Sequence, residues 1–434
     1  MASPAATVFT GQDIQVLYQS KRAGLDAHLT QRLVDFIDGT HTSLDGAIYD
    51  LRHPAILAAL ARVAERHVRL RLAYDGGKER TGGLGGDPKS GSTEEALSGA
   101  GLLPYATAVH EQGRHLMHDK FLVRDGKEVW VGSANFTVGG LELQDNTCLI
   151  ISSSQLASIY TATLEELLQP HHRHMAHAGA PETVQVGNVR LHPYFAPASG
   201  EGIEQTIISA LHTARRVRIL AFLLSDPGIL QALAPLAHNS TVDIQGVYDP
   251  HGMQDVLRYS HQDPSVFWFL HDPRFVAAPS HGFSPGREQD FMHNKTIIID
   301  DDLVITGSYN FSENAENNDE TLLAIESPAI AAAYSRYAET LFAAYKGTAE
   351  APKIPAHAAH AAHSTHHTHE VVPMSERIGQ RLAEQRQSPQ RTRAARARRS
   401  GLDRAIAAVA VLFFVGLAVL VVLLVLLATG ALHM

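Results

Sequence analysis

Six residues of this chain are written twice. His118, Lys120, Asp125, Gly132, Ser133 and Asn135 recur as His293, Lys295, Asp300, Gly307, Ser308 and Asn310, each 175 positions further on. A histidine, a lysine and an asparagine gathered in duplicate make a site for a phosphodiester. An imidazole titrates near pH ~6.5, so one ring can attack phosphorus while the other protonates the leaving oxygen. The ammonium and amide groups can hold the phosphate oxygens, and donors fixed in place stabilise the charge that develops there. This chemistry calls for no metal and no cofactor.

Positioning these groups sets requirements on the backbone. In a strand, side chains alternate between faces, so the His and Lys of each His-x-Lys project together. The Gly-Ser-x-Asn segment must follow in a turn, where glycine allows close backbone approach and the serine and asparagine supply donors. The flanking sequence is duplicated as well. Pro54-Ala-Ile-Leu recurs as Pro227-Gly-Ile-Leu, and Tyr74-Asp75 as Tyr248-Asp249, at offsets of 173 and 174. A drift of at most two residues over such a span indicates duplicated domains. Each unit reads as an apolar strand (44–51; 217–224), a helix with proline in its first turn (54–66; 227–238) and a second strand (68–74; 242–248). The motif strands follow, at 296–299 and 303–306 in the second copy. Strand, helix and strand form a β-α-β unit, so the fold class is α/β, with two lobes at 1–180 and 181–347. The Gly/Pro/Ser-rich stretches 76–92 and 272–290 are expected to be irregular loops that flank substrate.

The pattern His-x-Lys-x4-Asp-x6-Gly-Ser-x-Asn, present twice and intact, resembles the phospholipase D superfamily over residues 40–325. The resemblance implies two lobes packed about a pseudo-twofold axis and a covalent phosphohistidine. Carried onto this chain, His118 is the nucleophile and His293 the general acid. Lys120, Asn135, Lys295 and Asn310 bind phosphate with Ser133 and Ser308, while Asp125 and Asp300 are supporting or structural residues. Glu320 matches the family's carboxylate that hydrogen-bonds a histidine. The first copy has Asn146 near that place, with Asp145 beside it. Either Asp145 serves the first histidine, or that ring lacks a carboxylate and His293 is the more basic of the two. His115 has no histidine counterpart and is expected in a loop.

The remaining sequence speaks to location. The single Cys148 excludes an intramolecular disulfide and reads as a buried strand residue. No signal peptide is expected at the N-terminus. Residues 351–434 hold ten Lys/Arg and four Asp/Glu, a balance of +6, so the total of −9 leaves −15 on residues 1–350. So acidic a body does not read as a general nucleic-acid binder. Residues 348–404 read as a linker, first His-rich (His357, His360, His363, His366, His367, His369) and then Arg-rich. Residues 405–432 carry no charge and exceed the ~20 apolar residues that span a bilayer. With arginines just before them, they are expected to form a single-pass tail anchor that leaves the catalytic lobes on the cytoplasmic side.

Together these features point to a membrane-anchored phospholipase D-type hydrolase acting on phospholipids. A metal-independent endonuclease on DNA or RNA is the alternative, suggested by the continuation Gly307-Ser-Tyr-Asn-Phe-Ser. A cardiolipin synthase-type phosphatidyltransferase ranks below both. The phospholipid and the membrane are the expected partners, with no obligate protein partner.

Overall fold

The computed structural model describes residues 7–77, 88–111, 115–169, 182–260, 262–281 and 289–353. The expected linker beyond residue 353 and the apolar segment 405–432 lie outside this range. Among the described residues no helix is long and apolar enough to cross a membrane.

The first lobe runs β1 (Val8–Thr10), β2 (Ile14–Gln19), α1 (Leu29–Asp38), β3 (Ser43–Ile48), α2 (Pro54–Glu65), β4 (Arg69–Asp75), α3 (Pro88–Gly99), β5 (Ala106–Val109), β6 (Lys120–Arg124), β7 (Glu128–Gly132), β8 (Asn146–Ser152) and α4 (Ser154–Leu167). The second repeats it as β9 (Val184–Val186), β10 (Val189–Ala196), α5 (Gly200–His212), β11 (Arg216–Ala221), α6 (Pro227–His238), β12 (Asp243–Tyr248), α7 (Pro250–Tyr259), β13 (Phe275–Ala277), β14 (Lys295–Ile299), β15 (Leu303–Gly307), β16 (Glu320–Glu326) and α8 (Pro328–Tyr345). The sheets have equivalent strand orders, β1-β2-β8-β7-β6-β3-β4-β5 and β9-β10-β16-β15-β14-β11-β12-β13. Pairs β3–β4, β4–β5, β11–β12 and β12–β13 are parallel, and the others antiparallel. The parallel pairs β3–β4 and β11–β12 belong to the β-α-β units expected from the sequence, and β5 and β13 extend each sheet beyond them.

Two stretches expected to be irregular hold regular structure. Helix α3 (Pro88–Gly99) overlaps the end of 76–92. Strand β13 lies inside 272–290, extending the parallel edge of its sheet beside β12.

The motif strands are buried on both faces, and alternation divides their side chains between cores. Phe121 and Val123 face the central core, whereas Leu122 faces the outer core under α1 and α2. Ile298 likewise faces the centre, while Ile297 and Ile299 face the outer core under α5 and α6. The central core takes one face of each sheet together with α4 and α8. There Tyr160 of α4 packs edge-on against Phe195 of β10, and Tyr334 of α8 against Tyr18 of β2. Each long helix therefore contacts the sheet of the other lobe.

Candidate active site

The histidines precede β6 and β14, at a seam where the lobes exchange backbone. Met117 bridges Asp319 in parallel, and Met292 bridges Asp145. The His118 amide donates to the Asp319 carbonyl at 2.9 Å, and the His293 amide to the Asp145 carbonyl at 3.0 Å. The repeated aspartates at the end of β4 and just after β12 add a further tether. Asp75 accepts the Met117 amide at 3.2 Å and Asp249 the Met292 amide at 3.1 Å. Each histidine is thus held from its own lobe and from the other.

The ring partners also cross the seam. His118 Nδ1 lies 2.8 Å from both carboxylate oxygens of Glu320, whereas His293 Nδ1 lies 3.1 Å from Asn146 Oδ1. This corrects the pairing expected within each copy. The first histidine has the carboxylate and the second has the amide, so the carboxylate-supported ring is His118. The physical reason is the reciprocal bridging at the seam, which brings the start of β16 to His118 and the start of β8 to His293. Asp145 serves neither ring; its carboxylate accepts from Tyr345 Oη at 2.7 Å, and burial pushes it up to about 7.

Ser133 and Ser308, expected among the phosphate-binding groups, are fully buried. Ser308 Oγ donates to Glu320 at 2.6 Å, and Ser133 Oγ to Asn146 Oδ1 at 2.7 Å. A hydroxyl has one proton to give, so these serines orient the histidine partners instead of contacting phosphate. Asn146 Nδ2 donates to the Gly140 carbonyl at 2.9 Å, which leaves its Oδ1 to accept from both Ser133 and His293. Asn318 Nδ2 donates to Glu320 at 3.1 Å.

Both lysines are buried beside the rings. Lys120 Nζ donates to the His118 carbonyl at 2.5 Å, and Lys295 Nζ to the His293 carbonyl at 2.8 Å. Burial pushes Lys120 down to about 8 against the pull of Glu320 and Asp119. Lys295 falls well below the usual lysine range, through burial and then the repulsion of Lys120. His293 is also depressed well below an ordinary imidazole, first by burial and then by the charges of Lys295, Lys120 and His118. Burial pushes Glu320 up to about 7, opposed by Lys120 and by the Ser308 and Asn318 donors. Before any anion binds, burial therefore disfavours the cationic forms of Lys295 and His293, and an anion seated between them would restore those charges.

Asn135 and Asn310 are partly exposed, and the Oδ1 of each is buried without a partner among the described residues. An amide oxygen with no donor costs nothing to turn away, and the turned amide offers its N–H groups to an oxyanion. The next residues, Phe136 and Phe311, fix the segment, each accepting two amides at the start of α2 or α6. Asp125 and Asp300 lie in the turns beyond the other ends of the motif strands. Asp125 accepts the amides of His41, Thr42 and Ser43, and Asp300 those of Arg215 and Arg216. They staple hairpins and stand apart from the rings. His115 lies in a loop three residues before His118 and lacks a histidine equivalent, that place being Asp290 in the second copy.

Two aromatic residues were not singled out from the sequence. Tyr49 lies edge-on to His118 at 4.8 Å and under Lys120 at 5.0 Å. Phe222 lies against His293 at 5.1 Å and under Lys295 at 5.2 Å. Their signal was present, since each follows its strand five residues before the repeated proline, Pro54 or Pro227.

A duplicated mixed-sheet α/β lobe, with paired His-x-Lys and Gly-Ser-x-Asn segments at its seam, is a two-histidine architecture of the phospholipase D kind. Residues 33–168 and 205–342 match the family model described as "Cardiolipin synthase, PLD-like domain", and the chain belongs to this phospholipase D-like family. It is 27% identical over 146 residues to the mitochondrial cardiolipin hydrolase of Xenopus laevis, covering 34% of this chain and 63% of that protein. The chain thus spans less than two thirds of that relative's length. It is also 27% identical over 160 residues to the protein of the same name from Xenopus tropicalis, covering 36% of this chain and 70% of that one. Among solved structures, the phosphatidylserine synthase of Haemophilus influenzae superposes with a TM-score of 0.57 at 14% identity, over 78% of this chain and 88% of the other. That likeness is one of fold.

Proposed function

We propose that this chain is a membrane-anchored phospholipase D-type phosphodiesterase that hydrolyses phospholipids through a phosphohistidine on His118. The observation that carries the order of events is the unequal pairing, Glu320 on His118 and Asn146 on His293. When Nε2 of His118 bonds to phosphorus the ring becomes cationic, and a carboxylate on Nδ1 stabilises that charge where an amide cannot. The P–O bond to the leaving alcohol breaks as His293 gives that oxygen a proton. A ring whose acidity is raised by burial and then by neighbouring lysines releases a proton readily, and the bound phosphate, by offsetting those lysines, is what loads it. Water then attacks the phosphohistidine, His293 takes its proton, and His118 is released. Lys120, Lys295, Asn135 and Asn310 hold the phosphate oxygens; Ser133, Ser308, Asn146 and Glu320 hold the rings.

Lipid is favoured over nucleic acid by the net charge of −15 on residues 1–350 and by the uncharged run 405–432, which supports a membrane anchor. The relatives named cardiolipin hydrolase agree with a lipid substrate. The test offers the full-length protein, in mixed micelles, labelled phosphatidylcholine, phosphatidylglycerol, cardiolipin, single-stranded DNA and RNA. Headgroup release with intact nucleic acid is expected. Cleavage of DNA or RNA with lipid untouched would establish the nuclease instead, and faster transfer to phosphatidylglycerol than to water would establish a transferase. His118→Asn should abolish phosphoenzyme formation. His293→Asn should still form it from a substrate whose leaving group needs no proton, and the reverse pattern would exchange the two roles.

A further inference from the structure

Three carboxylates of the second lobe converge away from the histidines. Glu204 on α5, Asp226 capping α6, and Glu316 in the short helix Glu313–Asn317 each offer an oxygen, all within 4.8 Å of one another. Asp226 is buried and the other two are partly exposed, so the cluster is sealed beneath and open to an ion from solvent. Among the described residues no lysine, arginine or histidine pairs with any of them.

The first lobe supplies an internal comparison. Its equivalent positions are Thr30, His53 and Glu142, at offsets of 174, 173 and 174. There the single carboxylate is satisfied internally, His53 Nε2 lying 2.9 Å and Thr30 Oγ1 3.3 Å from Glu142 Oε1. In the second lobe a hydroxyl and an imidazole have both become carboxylates, and no described residue supplies the lost positive partner.

A second observation points into the cluster. Tyr309 is 1% exposed, and its hydroxyl has no hydrogen-bond partner among the described residues. That hydroxyl is within electrostatic reach of Asp226 and Glu316, then of Glu320 and Glu204, yet it bonds none of them. Its first-lobe equivalent is Ala134. A buried hydroxyl that feels Asp226 and Glu316 most strongly and bonds neither leaves room for a common ligand. Gly228 adds to the construction, because a Cβ there would lie 1.9 Å from Glu204 Oε1. The glycine makes room for that carboxylate over the start of α6.

We propose that Glu204, Asp226 and Glu316, with the Tyr309 hydroxyl, form a divalent-cation site that takes Ca2+. The donors are all oxygen, which suits a hard cation, and three protein carboxylates with a phenol suit Ca2+, which takes about 6–8 oxygens, better than Mg2+, which is usually held by about one or two carboxylates and keeps several waters. The ion would pin the segment from Tyr309 to Glu316, which carries Asn310, onto α5 and α6. Its role is to position; the bond-making steps remain with the histidines.

The experiment uses Tb3+ as a luminescent stand-in for Ca2+ on the full-length protein at pH 8, with excitation of tyrosine. Sensitised emission is expected, displaced by Ca2+ at far lower concentration than by Mg2+, together with a Ca2+-dependent rise in Tm. Tyr309→Phe should remove the emission, and Glu316→Gln should weaken Ca2+ binding by about tenfold or more. Gly228→Ala, a change that favours the helix, should also weaken binding by displacing Glu204 with no change of charge. No emission, emission that persists in Tyr309→Phe, or Ca2+ affinity unchanged in both Glu316→Gln and Gly228→Ala would overturn the site.

Discussion

At the scale of single residues, the two imidazoles differ because the groups behind them differ. Glu320 and Asn146 occupy equivalent places, each bonded by the serine of its own lobe, and each reaches the histidine of the other lobe. Replacing Glu320 with glutamine keeps a hydrogen-bond partner for His118 but removes the charge that stabilises its cationic form. Glu320→Gln should lower kcat by about 10²–10³-fold with a small effect on KM; an unchanged kcat would remove Glu320 from the mechanism. The same groups set a pH dependence. Glu320 must be ionised and sits at about 7, so activity is gained as pH rises through that value. Lys120 must be charged and sits at about 8, so activity is lost as pH rises further. The kcat/KM profile should be a bell whose basic limb begins no higher than Lys120's value, since Lys295 and His293 are depressed further; Glu320→Gln should flatten the acidic limb and move the basic limb to lower pH, because Glu320 raises both lysines.

At the scale of elements, the Gly-Ser-x-Asn turn works because its strand runs unusually close to its neighbour. A Cβ on Gly132 would lie 2.3 Å from the Thr147 carbonyl oxygen, and one on Gly307 would lie 2.2 Å from the Thr321 carbonyl oxygen. Those contacts are with backbone, which cannot swing aside as a side chain can. Gly132→Ala should therefore cost on the order of 1–3 kcal/mol in chemical denaturation, and activity should fall further than stability because Ser133 moves off Asn146. Much of this level was legible in the sequence. The alternation of His-x-Lys, the prolines opening α2 and α6 and the β-branched run 296–299 all encode local structure, and local rules suffice to read them. The apolar strands were expected to continue to 51 and 224, whereas β3 ends at Ile48 and β11 at Ala221. The chain turns there because Tyr49 and Phe222 donate their amides to the carbonyls of Asp119 and Asn294, just ahead of the motif lysines. The exchange of Glu320 and Asn146 was not legible. Spacing along one chain does not show which copy faces which, and that depends on how the two lobes dock.

At the scale of the molecule, docking joins stability to function. The central core draws on both sheets, and the hydroxyls of α8 cross it: Tyr337 donates to the Gln19 carbonyl at 2.9 Å and Tyr345 to Asp145 at 2.7 Å. Neither lobe alone can complete either histidine. Residues 1–180 contain His118 without Glu320, and residues 181–434 contain His293 without Asn146. A half would also expose the aromatic faces of Tyr18, Phe121 and Tyr160, or of Phe195, Tyr334 and Tyr337, all of them buried in the joined lobes. Patches of that kind drive association, so the halves expressed separately should be poorly soluble and inactive. Co-expressed, they should re-form the seam and recover activity. A cross-complementation then tests the pairing directly. A 1–180 half carrying His118→Asn should stay inactive with an intact second half, and an intact first half should show only the reduced kcat when its partner carries Glu320→Gln. If either half turned over substrate alone, as a symmetric pair of its own kind, the cross-lobe pairing would not be what activity requires.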